Sequence, residues 1–161
     1  AEDYENIINE AILLNKMHDH VSEIYSSKNS YGVETDDLVA AYWKALTDEL
    51  GQNNVIIVSI DKDYKQLPCL IYNYHYKHQE IINISPYEAL YNFYEQMIIG
   101  DSSDNVNYCK GYGKAYAKKL FKDCKSNYQF TKKTYELFKT IYKSKAKLKY
   151  IQCYNLLKLR M

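Results

Sequence analysis

Seven carboxylates of this sequence fall in three short clusters, each at the edge of an apolar segment. Carboxylates that lie close together repel one another, and their pKa values rise unless cations neutralise them. Carboxylate oxygens at partly hydrated sites are ligands that suit Mg²⁺ or Mn²⁺. We therefore interpret these side chains as candidate metal ligands and catalytic residues of a phosphoryl-transfer centre. In chain order they are Glu34, Asp36, Asp37, Asp61, Asp63, Asp101 and Asp104.

Two of the clusters can also be explained without a ligand. Acidic residues such as Asp36 and Asp37 often cap the first turn of a helix and complement its dipole. The segment 101–105 has the composition of an Asx-rich turn. Asp61 and Asp63 are harder to explain in this way, because they directly follow an apolar run. The three clusters together favour a metal centre over three unrelated turns.

The apolar run before Asp61 and Asp63 covers residues 55–60 and is mostly β-branched. Such a run is typical of a strand that is buried on both faces in a parallel sheet. Open α/β sheets bind ligands at the carboxyl ends of their strands. The two carboxylates are therefore predicted to lie at the ligand-binding edge of a sheet.

The rest of the sequence predicts an α/β fold. Apolar residues recur at helical spacing in two segments of the N-terminal third, and Ser85-Pro86 has the pattern of a helix start. Beyond residue 105 the chain is predicted to be wholly helical, apart from a turn at Gly111 and Gly113. The predicted helices are 3–25, 35–50 and 86–99, and the predicted strands are 55–60, 69–76 and 79–84.

Charge is strongly segregated along the chain, although the net charge is only +1. Residues 105–161 hold 15 Lys and Arg against 2 acidic residues, a net charge of +13, and residues 1–104 have a net charge of −12. A concentrated basic region indicates a polyanionic partner such as nucleic acid. A solvated basic helix face is the plainer interpretation, and the acidic half of the chain favours the polyanion.

A turn with two alternate glycines, Lys110-Gly111-Tyr112-Gly113-Lys114, opens this basic region. Glycine lets a backbone approach a ligand closely, and the helix that follows offers free N–H groups to a phosphate. A plain helical hairpin would use the same residues. The predicted DNA-binding residues are Lys110, Gly111, Gly113, Lys114, Lys118 and Lys119.

The four cysteines include no C-x-x-C pair. Free thiols are the default in a reducing compartment, so a cytoplasmic protein is expected. The sequence has no apolar run near the length of a membrane span, and we therefore expect no membrane partner.

The order of these motifs resembles the 5′-nuclease family, the 5′–3′ exonucleases and flap endonucleases of bacteria and phages. The match covers about residues 30 to 120. The motifs are E-x-D-D at Glu34–Asp37, D-K-D-x-x-Q-L at Asp61–Leu67, G-D-x-x-D-N at Gly100–Asn105 and G-x-G at Gly111–Gly113.

The resemblance implies a PIN-like sheet flanked by helices in residues 1–99 and a helical duplex-DNA-binding region in residues 100–161, with a helix–two-turns–helix element at about 100–123. It also implies two divalent ions, Mg²⁺ or Mn²⁺, held by the seven carboxylates, and a monovalent cation such as K⁺ at the two-turns element. The implied substrates are branched or 5′-ended DNA and RNA–DNA duplexes. The implied reaction is hydrolysis of phosphodiesters at 5′ ends or flaps.

The sequence departs from the family's pattern in two respects. The family begins with a strand that carries an essential Asp, and a basic helical arch precedes its E-x-D-D motif, but neither precedes Glu34 here. We therefore expect an N-terminal nuclease portion, cleaved or separately encoded, as a partner. In the two-turns element, Tyr108 and Ala115 stand where the family usually has Gly and Lys.

Two other functions stay open. A non-catalytic DNA-binding partner subunit would need no complete set of catalytic carboxylates. A PIN-type ribonuclease would share the acidic sheet edge. The basic helical half, with Gly111 and Gly113, argues against the ribonuclease.

Overall fold

The computed structural model describes residues 2–25, 27–28, 32–75 and 77–161. The chain divides into two compact units, Ala1–Thr35 and Asp36–Met161. The first unit contains helix α1, Glu2–Ile24, which confirms the helix predicted at 3–25. No described helix, α1 included, is both long and apolar enough to cross a membrane.

The second unit combines a three-stranded sheet with helices, which is the mixed α/β architecture that the sequence predicts. α2 precedes the sheet, and the part of the chain beyond residue 105 is mainly helical, as expected. In chain order the elements are α2 (Thr35–Leu50), β1 (Ile56–Val58), a 3₁₀ turn (Asp63–Gln66), β2 (Leu70–Asn73), β3 (Glu80–Asn83), α3 (Pro86–Ile99), α4 (Lys114–Phe121), α5 (Asn127–Tyr142) and α6 (Ala146–Leu157).

The strands of the sheet lie in the order β1-β2-β3. β1 is parallel to β2, with Ile57 opposite Ile71, and β2 is antiparallel to β3, with Ile71 opposite Ile82. The three predicted strands are thus confirmed, although each is shorter than predicted. Because β1 and β2 are parallel, the segment that follows β1 begins at the carboxyl edge of this pair.

The prediction that β1 is buried on both faces is wrong. The side chain of Ile57 is 6% exposed, whereas Ile56 and Val58, which point to the other face, are 42% and 60% exposed. Side chains alternate between the two faces of a strand, and only one face of β1 is covered by described residues. A β-branched run therefore predicts the strand correctly but does not reveal how many of its faces are covered.

Two hydrophobic clusters stabilise the second unit. One contains buried residues of α2 and the sheet, such as Trp43. The other is formed by α3, α4, α5 and α6 and includes Phe121. Helix α3 contributes to both, with Ala89 in the first cluster and Met97 in the second. The predicted domain boundary near residue 100 stays a prediction.

Helix α3 begins and ends where the sequence predicts. The Ser85 side chain accepts a hydrogen bond from the Glu88 N–H, and the Glu88 carboxylate accepts one from the Ser85 N–H at 2.8 Å. Pro86 occupies the first helical position, where its missing N–H costs nothing. Gly100 ends the helix, and Asp101 follows it directly in the chain.

Candidate metal centre

The backbone around Gly100 holds Asp101 at the end of α3. Gly100 has a φ of +79°, a conformation that glycine adopts without a steric penalty. Two backbone hydrogen bonds, at 2.8 and 2.7 Å, then join Asp101 and Val106 in both directions. Inside this loop the Asp101 carboxylate accepts a hydrogen bond from the Ser103 N–H at 2.9 Å. As a result the Asp101 side chain is fixed and only 1% exposed.

Local hydrogen bonds also shape the segment that follows β1. The hydroxyl of Ser59 accepts a hydrogen bond from the Asp61 N–H at 3.0 Å, and the Asp61 carboxylate accepts one from the Asp63 N–H at 2.9 Å. Asp63 then begins the 3₁₀ turn. Asp61 therefore orders the backbone of the turn, and Asp63 is left with its carboxylate beside that of Asp101.

Three carboxylates from two of the predicted clusters come together here. One oxygen each of Asp63, Asp101 and Asp104 lies within 4.8 Å of the others, with Asp101 buried, Asp63 half-buried and Asp104 exposed. Two oxygens that both bind one Mg²⁺ at about 2.1 Å are at most about 4.2 Å apart. Neighbouring ligands of an octahedral Mg²⁺ are only about 3 Å apart. The group can therefore hold one Mg²⁺ if the side chains move closer together, or if one of them binds through water.

We call these three residues the carboxylate cluster, and a buried pair of glutamines supports two of them, Asp63 and Asp101. The amide nitrogen of Gln96, on α3, donates to Asp63 at 2.8 Å and to Asp101 at 3.0 Å. Its oxygen accepts a hydrogen bond from Gln66 at 2.9 Å, and Gln66 also donates to the Leu157 carbonyl at 2.7 Å. Hydrogen bonds of this kind orient potential ligands before a metal binds.

Lys62 acts as a counter-ion for Asp101. Its Nζ lies 2.9 Å from Oδ2 of Asp101. The hydrogen bond to Asp101 raises the pKa of Lys62, and the charges of Asp63 and Asp61 add to this effect. The ammonium is therefore protonated at neutral pH. A divalent ion that binds the same oxygen of Asp101 would compete with Lys62 for it, because the two cations repel each other.

The two inner carboxylates differ in how their surroundings affect ionisation. Burial raises the pKa of Asp63, and the hydrogen bond from Gln96 offsets this only in part. Burial also acts to raise the pKa of Asp101, but its hydrogen bonds, first that from Lys62, outweigh this and hold the pKa below its ordinary value. Without a metal, the charge of Asp101 is thus compensated, whereas the charge of Asp63 is compensated only in part by Gln96 and Lys62.

The buried Tyr64 connects the carboxylate cluster to the start of α2. Burial raises the pKa of Tyr64 to about 12, and the charges of Asp61, Asp36 and Asp63 contribute to this rise. The influence of Asp36 indicates that the first turn of α2 lies near the 3₁₀ turn. Among the described residues, however, neither Asp36 nor Asp61 belongs to the group of three oxygens.

The other two predicted ligands are placed differently. Asp37 accepts a hydrogen bond from the Arg160 N–H at 2.7 Å, and its second oxygen lies 3.8 Å from Nε of Arg160. Glu34 is exposed and belongs to the first unit, directly before α2. The convergence of all seven carboxylates on one cleft stays a prediction.

The predicted DNA-binding turn lies at the surface. Gly111 has a φ of +91°, and Gly113 is the N-cap residue of α4. The Tyr112 N–H donates to the Cys109 carbonyl at 3.0 Å and closes the turn before the helix. The exposed Lys110 and Lys114 lie at the N-terminus of α4, where a phosphate could approach. Lys118 and Lys119 are also exposed but lie in the last turn of the helix.

The sequence prediction did not identify Lys62, Gln66 and Gln96 as parts of the site. Lys62 and Gln66 lie inside the D-K-D-x-x-Q-L motif, but the motif does not reveal their partners. Gln96 was the more visible signal, because it is a polar residue directly before three apolar ones in α3 and is buried together with the first two of them, Met97 and Ile98. A polar side chain on the buried side of a helix needs a partner.

Gln96 can be tested by a substitution that keeps its length. Gln96→Met removes the donor to Asp63 and Asp101 and leaves Gln66 with one partner fewer, so we expect the free energy of unfolding to fall by about 1–3 kcal/mol. Urea unfolding of the metal-free chain measures this change. Gln152→Met, at an exposed position of α6, is the control and should change stability by less than ~0.5 kcal/mol. Equal stability of the two variants would show that Gln96 does not support the cluster.

Comparison with known proteins adds no family assignment. No family model matches the chain, and no curated protein or solved structure matches it significantly. The function is therefore inferred from the residues themselves: three carboxylates including the buried Asp101, a lysine counter-ion and a basic helical region.

Proposed function

We propose that this chain forms the metal-binding and DNA-binding part of a divalent-metal-dependent 5′-nuclease with a PIN-like core. The observation that carries the proposal is the buried Asp101, with oxygens of Asp63 and Asp104 within 4.8 Å. The order of the three acidic motifs and the glycine turn along the chain supports it. The proposed reaction is hydrolysis of phosphodiesters of DNA or RNA primers at 5′ ends or flaps.

In this proposal the chain's own residues bind and orient. Asp63, Asp101 and Asp104 hold a divalent ion, and Gln96 keeps the inner two carboxylates aligned. Two ions, when bound, supply an activated water and stabilise the oxygen that leaves phosphorus. No side chain acts as the nucleophile. Lys110, Lys114 and the N-terminus of α4 hold the phosphate backbone of the duplex.

The position of β1 supports a PIN-like core that another strand completes. β1 lies at one edge of the described sheet, and Ile56 and Val58 are exposed on it. An additional strand can pair only with an edge, which means β1 or β3. β1 is the strand that leads into Asp61 and Asp63, so an Asp on a strand beside β1 would lie near these carboxylates.

The basic region gives a prediction about DNA. Replacing Lys110 and Lys114 together by Ala should weaken duplex binding and lower the slope of log K against log salt by about one for each phosphate that is no longer bound. Fluorescence anisotropy of a labelled 5′-flap duplex at several salt concentrations measures this slope. Lys16→Ala with Lys44→Ala, two exposed lysines of the acidic half, is the matched control and should leave the slope unchanged. An unchanged slope in the Lys110/Lys114 variant would exclude phosphate contacts by the turn.

A non-catalytic DNA-binding partner is the second candidate function. The contact between Asp37 and Arg160 favours it, because this contact occupies one of the seven predicted ligands within the chain. The PIN-type ribonuclease is less well supported, since that class does not need a basic helical region next to the acidic edge.

The experiment for the proposed function is cleavage of a labelled 5′-flap duplex in Mg²⁺. The chain is assayed alone and together with an N-terminal portion of a 5′-nuclease, and single-stranded RNA is a second substrate. We expect little cleavage by the chain alone and Mg²⁺-dependent cleavage of the flap after the addition, because the family's first strand contributes a further Asp. Asp101→Asn should abolish that cleavage.

Other outcomes of this assay distinguish the alternatives. Cleavage by the chain alone that is lost in Asp101→Asn would show a site that needs no further strand. A preference for single-stranded RNA would favour the ribonuclease. Absence of cleavage with an N-terminal portion that is shown to be bound would favour the DNA-binding partner.

A further inference from the structure

A cavity of about 220 Å³ lies beside the carboxylate cluster, bordered by the 3₁₀ turn, α3 and the start of α4. Three lysines line it, two from the 3₁₀ turn and its N-cap and one from α4, and one carboxylate does so as well. The polar residues that matter for its chemistry are Lys62, Lys65, Lys114, Asn92, Glu95 and Gln96. Lys62 is paired with Asp101, so Lys65 and Lys114 are the two lining ammonium groups that favour an anion against the single lining carboxylate of Glu95.

The walls of the cavity are tied to defined positions. The Asn92 side chain donates to the Lys65 carbonyl at 3.0 Å and so joins the 3₁₀ turn to α3. Gln96 is buried and held by Gln66. Lys114 is the first residue of α4, so the cavity also lies near the free N–H groups of that helix. The chain therefore provides a recess with fixed sides, whose lysine side chains can move toward a ligand.

Two residues that line the cavity also contact the carboxylate cluster. Lys62 lines the cavity and forms the ion pair with Asp101, and Gln96 lines the cavity and donates to Asp63 and Asp101. An anion in the cavity is thus close to these carboxylates and is repelled by them when no cation is present. A divalent ion on the cluster would reverse this effect, and it would also weaken the ion pair between Lys62 and Asp101.

We propose that this cavity binds a phosphate group of the nucleic-acid strand beside the metal centre, with Lys65 and Lys114 as its direct contacts and Lys62 as a third contact once a divalent ion occupies Asp101. The proposal rests on the proposed function for the metal, and it adds a second, coupled binding site. Phosphate and divalent ion are expected to bind cooperatively, because each neutralises the charge that opposes the other.

The test measures the binding of a short nucleic-acid ligand and does not depend on cleavage. Thymidine trinucleotides with and without a 5′-phosphate are titrated into the full chain, with and without Mg²⁺, and followed by amide chemical shifts. We expect shifts in the segments that line the cavity, and affinity about tenfold higher with Mg²⁺. Lys65→Met should lower affinity about tenfold, because it removes one charge-assisted hydrogen bond. Tighter binding of the 5′-phosphorylated ligand would assign the cavity to a terminal phosphate, and equal binding to an internal phosphodiester.

Lys62→Met separates the two sites. It should remove most of the Mg²⁺-dependent gain in ligand affinity without preventing metal binding, which Mn²⁺ titration measures independently. Lys147→Met, at an exposed position of α6, is the control and should leave both unchanged. If Mn²⁺ binds but Lys65→Met leaves ligand affinity unchanged, the cavity proposal is wrong while the proposed metal centre stands. If the parent chain binds no Mn²⁺, the metal centre of the proposed function is wrong, and the cavity proposal that rests on it is wrong as well. Ligand binding that is independent of Mg²⁺ would overturn the coupling.

Discussion

Replacing Gly100 by Ala is expected to lower the free energy of unfolding by about 3 kcal/mol or more. Its φ of +79° and ψ of −173° lie in a region that is essentially restricted to glycine. A Cβ at this position would also lie 2.1 Å from the carbonyl oxygen of Val106. That oxygen cannot move away cheaply, because it accepts the backbone hydrogen bond from Asp101.

Two other glycines of the chain allow the cost of the backbone conformation to be separated from the cost of the steric clash with Val106. Gly111 has a positive φ, but a Cβ added there would meet no atom within 4 Å, so Gly111→Ala should cost about 1–2 kcal/mol from the backbone alone. Gly113 has an ordinary extended φ of −120° and equal space, and Gly113→Ala should cost less than ~1 kcal/mol. Urea unfolding of the three variants measures the order. A loss for Gly100→Ala no larger than that for Gly111→Ala would contradict the tight loop around Asp101.

The second large effect concerns metal and the inner carboxylates. Mg²⁺ or Mn²⁺ at 100 times its dissociation constant should stabilise the parent chain by about 2.7 kcal/mol. Asp63→Asn and Asp101→Asn should each remove most of this gain, because each deletes a ligand of the carboxylate cluster. Thermal unfolding with and without metal measures it. Asp123→Asn, an exposed acidic residue of the basic half, should keep the full gain.

Without metal the same two substitutions should act in opposite directions. Asp101→Asn should destabilise the chain, because it leaves Lys62 without its partner. Asp63→Asn should leave stability unchanged or increase it near neutral pH, because it removes a carboxylate whose ionisation burial disfavours. Destabilisation by Asp63→Asn that equals that of Asp101→Asn would contradict this description of the site.

The pH dependence follows from the directions of the pKa shifts. The folded-state pKa of Asp101 is lowered, so its stabilising contribution is present above the ordinary Asp pKa of about 3.9 and is lost as the pH falls through the folded-state value. The folded-state pKa of Asp63 is raised, so its cost is absent below about 3.9 and develops as the pH rises through the folded-state value. The difference between the two variants should therefore be large near neutral pH and shrink in acid. Urea unfolding at about pH 7.5 and about pH 3 measures this change, because the contribution of Asp101 is still present at pH values above about 3.9.

Local signals made the element boundaries predictable. The helices at 35–50 and 86–99 were predicted to the residue, because Gly51, Ser85-Pro86 and Gly100 mark ends within the chain itself. The burial of β1 was predicted wrongly, because burial depends on which layers pack against the strand. The residue pattern within one segment does not indicate which layers pack against that segment.

The candidate ligands were predictable from residue type and spacing, but their partners were not. Asp63 and Gln96 are 33 residues apart in the chain, and Asp37 and Arg160 are 123 residues apart. Contacts at such separations arise only when the elements pack. The same reason explains why the sequence did not reveal that Asp101 is charge-compensated and Asp63 only in part.

The most direct test of the metal centre is Mn²⁺ binding measured by electron paramagnetic resonance. The signal of free Mn²⁺ decreases as the ion binds to the protein. The parent chain is predicted to bind Mn²⁺, Asp123→Asn to bind it equally, and Asp101→Asn to bind it at least about tenfold more weakly, because the buried ligand is lost. Mg²⁺ should compete for the same site. Absence of binding by the parent chain, or equal affinity in Asp101→Asn and Asp123→Asn, would contradict a metal centre at Asp63, Asp101 and Asp104.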